Sequence, residues 1–67
     1  MQLQWEHVNG YWHADGGWGI SIGYEPRANG EDPYYAWVGC TFIGWFHSLK
    51  AAKEGSIYYV VEKELEQ

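Results

Sequence analysis

Two tight-turn signals, Asn9-Gly10 and Asp15-Gly16-Gly17, cut the start of this chain into short alternating runs. Both central positions of a type I′ turn need positive φ, and Asn-Gly supplies it at little cost, so Asn9-Gly10 marks a hairpin. Before it, Leu3, Trp5 and His7 alternate with Gln2, Gln4 and Glu6, the period of a strand over about 2–8. After it, Tyr11-Trp12-His13-Ala14 reads as extended. Beyond the second turn, Trp18, Ile20, Ile22 and Tyr24 alternate with Gly19, Ser21 and Gly23. That pattern predicts a strand over about 18–25 whose glycine-bearing face is open to close approach. Residues 25–33 carry Pro26, Asn29-Gly30 and Pro33 and read as a loop.

The longest expected strand runs over 34–43. Tyr34, Ala36, Val38, Cys40 and Phe42 face one way, and Tyr35, Trp37, Gly39, Thr41 and Ile43 the other. Both sets are largely apolar, which suits a central strand partly covered on both sides. Cys40 then reads as a small buried apolar residue rather than a reactive thiol. Gly44-Trp45-Phe46-His47 forms the expected corner, and Ser48 is a good helix N-cap.

Two readings compete for the rest. Ser56-Ile57-Tyr58-Tyr59-Val60-Val61 has strong β-propensity, with Gly55 ending a short helix. Alternatively one helix spans about 48–66. Helical periodicity then puts Leu49, Ala52, Ser56, Tyr59, Val60 and Lys63 on one face, with small residues at 52, 55 and 56 for close approach to a sheet. The good helix formers Glu54, Lys63 and the tail Glu64-Leu65-Glu66-Gln67, and no turn signal after Val61, favour the single helix. The expected architecture is therefore α+β: a three- to four-stranded antiparallel meander, with one C-terminal helix packed across it, in a single domain over 1–67.

That helix carries a second apolar stripe, Ile57, Val61 and Leu65 with Tyr58 beside them, pointing away from the sheet. An uncovered stripe of this kind marks an interface, and a homodimer is one expectation. Its charges oppose the helix dipole, with Lys50 and Lys53 early and Glu62, Glu64 and Glu66 late.

Composition narrows the function. The chain has 67 residues and one cysteine, so no internal disulfide can form, and a domain this small buries only about 60% of its unfolded surface. Large side chains are the compensation: five Trp, six Tyr and two Phe. Several Trp are expected in the core, and Trp12, Trp37 and Trp45 form a candidate exposed platform. Nine acids against four bases leave a net charge of −5, which argues against direct nucleic-acid binding and permits a partner with a basic surface. No apolar run is long enough to cross a membrane as a helix, and residues 1–6 do not resemble a signal peptide. A lone cysteine without export signals fits a cytoplasmic location.

Chemistry is sparse. His7, His13 and His47 show no spacing that pairs a base with a nucleophile, and Gly16-Gly17-Trp18-Gly19 lacks the Lys-Ser/Thr of a phosphate loop. No catalytic residue, metal or cofactor is expected, and the chain reads as a non-enzyme.

The stretch Ile43-Gly44-Trp45-Phe46-His47-Ser48-Leu49-Lys50-Ala51-Ala52-Lys53, preceded by Tyr11-Trp12-His13-Ala14 and Trp18-Gly19-Ile20-Ser21-Ile22, resembles a pattern in short phage and prophage proteins. The strand order followed by a helix also resembles the plant ethylene-response-factor type of DNA-binding domain, whose sheet reads DNA with Arg and Trp residues. This chain keeps Trp but has a single Arg, Arg27. The phage resemblance implies a small protein acting without catalysis, in the host-cell cytoplasm. It would bind a host defence or nucleic-acid-processing complex and block it, as anti-CRISPR proteins do. Its partner-facing acids would be Glu25, Glu31 and Asp32 in the long loop and Glu62, Glu64 and Glu66 at the tail. The alternatives are an accessory module that binds nucleic acid through sheet aromatics, and a structural homodimer.

Overall fold

Asn9 and Gly10 adopt φ of +52° and +83°, the left-handed pair that a type I′ hairpin requires. They join β1 (Trp5–Val8) to β2 (Tyr11–Ala14), with Val8 opposite Tyr11. The computed structural model describes residues 4–14, 18–26 and 30–65. The turn expected at Asp15-Gly16-Gly17 and the strand start at 2–3 lie outside those residues. β3 (Ile20–Tyr24) is shorter than the expected 18–25 run, because Gly19 takes φ of +66° and leaves the extended region. β3 pairs antiparallel with β2 and with β4 (Tyr34–Val38). A backbone bond from Glu25 N to Pro33 O, 2.7 Å long, closes the base of the β3–β4 loop.

The single strand expected over 34–43 is two strands. β4 ends at Val38, Gly39 and Cys40 form a turn, and β5 (Thr41–Phe46) returns beside β4. Gly39 has φ of +61° while Cys40 does not, which is the pattern of a two-residue type II′ turn. Gly39 N also donates to Gly19 O at 3.0 Å. This turn reverses parity. Residues i and i+3 flanking a two-residue loop sit opposite each other and share a face, whereas in a continuous strand they would point apart. Phe42 consequently leaves the face of Val38 and pairs with Trp37. Cys40 lies exposed on the turn rather than buried. The expected corner at 44–46 is instead the end of β5. The β4–β5 register shifts at Ala36/Trp37, so Gly44 faces Ala36, Phe42 faces Trp37, and Ile43 is the extra residue of a bulge. Gly44, at φ of +148°, supplies the conformation that the bulge needs.

The sheet therefore has five strands in sequential antiparallel order, β1-β2-β3-β4-β5. One helix, α1 (Leu49–Leu65), follows, so 56–61 is helical and not a strand. Ser48 caps it: the Ala51 N–H donates to Ser48 Oγ at 3.1 Å. α1 lies across β3, β4 and β5. Its buried residues are Ala52, Ser56 and Val60, with Leu49, Tyr59 and Lys63 half-buried along the same stripe. They meet Ala14, Ile20, Ile22, Ala36 and Val38 of the sheet. Ser56 is fully buried, and its hydroxyl donates to Ala52 O at 2.8 Å, which removes the cost of hiding it.

Small residues occupy the centre of this interface, and aromatics ring it. No Trp is fully buried; Trp5, Trp12 and Trp18 are half-buried and pack against the edge of the core. Lys53, an unfavourable charge for the helix start, holds its Nζ 5.0 Å from the Trp5 ring centre. Gly55 lies against the ring of Phe46. A β-carbon there would sit 2.6 Å from Phe46 Cε1. Alanine normally favours a helix over glycine by about 1 kcal/mol. Forcing a methyl into a filled site costs about 1–3 kcal/mol. Gly55→Ala is therefore expected to lower unfolding free energy by about 1 kcal/mol in urea denaturation. In a Phe46→Leu background the same change should become neutral or stabilising.

Candidate functional site: an aromatic face on the open side of the sheet

The strand register divides the side chains into two faces. Trp5, His7, Trp12, Ala14, Ile20, Ile22, Tyr34, Ala36 and Phe46 fall on the side of α1. Glu6, Tyr11, His13, Ser21, Gly23, Tyr35, Trp37, Phe42 and Trp45 fall on the other, which no described element covers.

That open face carries a continuous series of rings. Trp37 and Phe42 meet edge to face with centroids 5.4 Å apart. Phe42 and Trp45 follow at 6.2 Å, and Tyr35 and Trp45 at 5.4 Å. Interplanar angles near 66° in all three contacts make the surface ridged rather than flat. Such contacts between ring edges and ring faces are individually favourable and hold the rings in place. Trp37 remains 39% exposed and Phe42 43%.

Tyr35 extends the series across the sheet. It lies over Gly23, where any side chain would collide with its ring, and shares a hydrogen bond with the Tyr11 hydroxyl. Burial first, then that bond and the electrostatic influence of Tyr11 and Glu25, hold the Tyr35 phenol above its ordinary 10.0. Next to Tyr11, His13 exchanges a 3.1 Å hydrogen bond with Ser21 across β2 and β3, the donor being set by the imidazole tautomer. Glu6 stands opposite His13 in the ladder, and the three residues line a shallow concavity. The face thus runs from apolar rings on β4 and β5 to polar groups on β1–β3.

Of the three Trp expected to form an exposed platform, Trp37, exposed, and Trp45, half-buried, lie on this open face. Trp12 does not: it sits on the helix side, stacked on His7 at 4.3 Å and edge-on to Tyr34 at 6.1 Å. Sequence reading also missed Phe42, which the hidden change of parity at Gly39-Cys40 brings to this face, and it left Tyr35, already on the face of Trp37, and Tyr11 out of the platform.

The acids are distributed around the face. Glu25 follows β3, and Glu31 and Asp32 lie in the same loop, at the same end of the sheet as Tyr11, Tyr35 and Trp45. Glu25 and Glu31 are exposed and Asp32 is half-buried. Glu62 and Glu64 are exposed near the end of α1, and Glu66 lies outside the described residues. The cations among the described residues, Lys50, Lys53 and Lys63, all belong to α1 on the opposite side. The helix stripe is the second apolar surface. Tyr58 is 65% and Leu65 80% exposed, Val61 is exposed and Ile57 half-buried. Among the described residues no cluster of His, Cys, Asp and Glu is arranged to hold a metal ion, and no helix is long and apolar enough to cross a membrane.

Comparison with protein-family models, with curated proteins and with solved structures finds no match to this chain.

The Gly23–Tyr35 contact is directly testable. Gly23→Ala should swing the Tyr35 ring away and break its bond to Tyr11 while the core stays folded. Ultraviolet titration, with the Tyr35→Phe protein subtracted, then shows the Tyr35 phenol returning towards its ordinary value. The sign for stability follows from a raised folded-state pKa. Tyr35 stabilises the fold below about pH 10, and that contribution is lost as pH rises through its folded value. Tyr35→Phe should remove this alkaline loss in denaturation curves measured on either side of pH 10.

Proposed function

We propose that this protein is a stoichiometric, non-catalytic binding module that grips a partner protein through the open aromatic face of its sheet. The observation that carries the reading is the Tyr35–Trp45–Phe42–Trp37 series, four rings held by one another on a face that the helix leaves uncovered. Exposed aromatic surface of this kind is uncommon on a domain that functions alone. Trp and Tyr are also the side chains that dominate binding energy at interfaces. The phage-protein resemblance extends the proposal to a target class: a host defence or nucleic-acid-processing complex that the bound protein would inhibit. The acids Glu25, Glu31 and Asp32 beside the rings suit a basic target surface by adding long-range attraction.

A nucleic-acid partner is supported less well. Stacking bases on aromatic rings still requires cations along the phosphate track, and the described strands carry none.

The test is affinity capture from nuclease-treated host lysate with wild-type protein and two variants. Trp37→Ser should lose the retained partner by at least about tenfold, the scale of one interface aromatic. Glu31→Lys with Asp32→Lys should weaken capture and reduce its salt sensitivity. A partner retained equally by wild type and Trp37→Ser removes the sheet face from the proposal.

A second reading rests on the exposed Tyr58, Val61 and Leu65 of α1, which would join two copies as a homodimer. Light scattering decides it: Val61→Glu should convert a dimeric mass to a monomeric one. A mass that does not change on substitution ends that reading.

A further inference from the structure

The partner chemistry follows from the electrostatics of the open face. We infer that this face receives an arginine-bearing segment of the partner, with a guanidinium seated on the ridged rings of Trp37, Phe42 and Trp45. The inference rests on the protein-binding reading and specifies what occupies that site.

Three observations converge. First, the rings present a surface that is apolar yet electrically negative over each ring face, which attracts cations and repels anions. Second, the titratable carboxylates on or beside this face are Glu6 and Glu25, with Glu31 and Asp32 in the adjoining loop. Glu25 is close enough to Tyr35 that its charge helps to raise the phenol. Third, the described cations stand on α1 behind the sheet, and two are engaged with rings there: Lys53 with Trp5 and Lys63 with Tyr59. The open face therefore offers cation-accepting rings and carboxylates without a described cation of its own. The chain uses the same chemistry internally at Lys53–Trp5, so the side chains of this fold already satisfy a cation in this way.

Arginine fits better than lysine. Its guanidinium is planar and weakly hydrated, so it lies on an aromatic face at less desolvation cost than an ammonium. Edge-to-face packing leaves steps between neighbouring rings, and a flat group on a long apolar stem can lie along such a step. The carboxylates at the Tyr35 end can then accept hydrogen bonds from a second arginine of the same segment.

The experiment uses the full chain, labelled for nuclear magnetic resonance, and four probes. These are a capped peptide of alternating arginine and glycine, the lysine and citrulline versions of that peptide, and a single-stranded oligothymidylate. The arginine peptide should shift the indole N–H signals of Trp37 and Trp45 and bind about twofold more tightly than the lysine peptide, the spread among exposed cation–π contacts. The citrulline peptide, neutral and of the same shape, should bind at least tenfold more weakly. Trp37→Ser and Phe42→Ser, each checked for a retained folded spectrum, should both abolish the shift at Trp45.

Equal binding of the arginine and citrulline peptides overturns the inference, as does arginine binding that leaves both indoles unmoved. Oligothymidylate binding at those indoles overturns it in favour of nucleic acid. None of the peptide results touches the protein-binding reading, which stands or falls on lysate capture by Trp37→Ser.

Discussion

One helix can cover one face of a sheet, and everything notable about this molecule follows from that limit. α1 approaches β3, β4 and β5 closely because Ala36, Ala52, Gly55 and Ser56 put almost nothing between the two backbones. The close approach makes a thin interior. Ile20, Ile22, Val38 and Val60 fill it, and each contributes about 1.5–3 kcal/mol when fully hidden. Rings too large for that space are excluded from the centre. They collect around the rim as Trp5, Trp12, Trp18, Tyr34 and Phe46, or on the far side of the sheet.

The far side is organised by two departures from regular β-structure. The Gly39-Cys40 turn sends Phe42 across to join Trp37. The bulge at Ile43 then adds one residue, so that Ile43 and Phe46 pack on the core while Trp45 stays outside with Phe42. Without the bulge, the alternation after Phe42 would place Gly44 outward and Trp45 inward, into a space already occupied. The aromatic series thus depends on backbone geometry at two glycines, Gly39 and Gly44, both at positive φ. The same bulge distorts the free edge of β5, which makes it a poor template for pairing with another strand.

Local chemistry was legible in the sequence wherever one residue type has one purpose. Asn9-Gly10 announced its hairpin, Ser48 its cap, and the spacing of Ala52, Ser56 and Val60 the buried stripe of α1. The fold class followed from these. What could not be read was parity in 34–46. Alternation is informative only when one set is polar, and here both sets are apolar: Ala36 and Val38 inward, Tyr35 and Trp37 outward. A Gly-X turn inside such a run leaves no polar residue to betray it, so two strands read as one. The identity of the site suffered for the same reason. Tyr35 and Trp37 share a face by alternation alone, but Phe42 and Trp45 join them only through the turn and the bulge, and Trp12 lies on the helix side.

The two layers also separate the packed core from the open aromatic face. The core of small and branched residues lies between α1 and the sheet, while the aromatic series meets it only through the backbone of β4 and β5. Polar replacement of Trp37 or Phe42 removes ring contacts on the open face without opening a cavity in the core, whereas a change at Ile22 or Ala52 strikes the core directly. Gly23 is the exception, since the open-face ring of Tyr35 uses the space its missing side chain leaves over a core-bearing strand. A fold partitioned in this way can vary its outer rings and still hold its shape. Gly39 in the turn and Gly44 beside the bulge supply the backbone geometry that keeps those rings on one side.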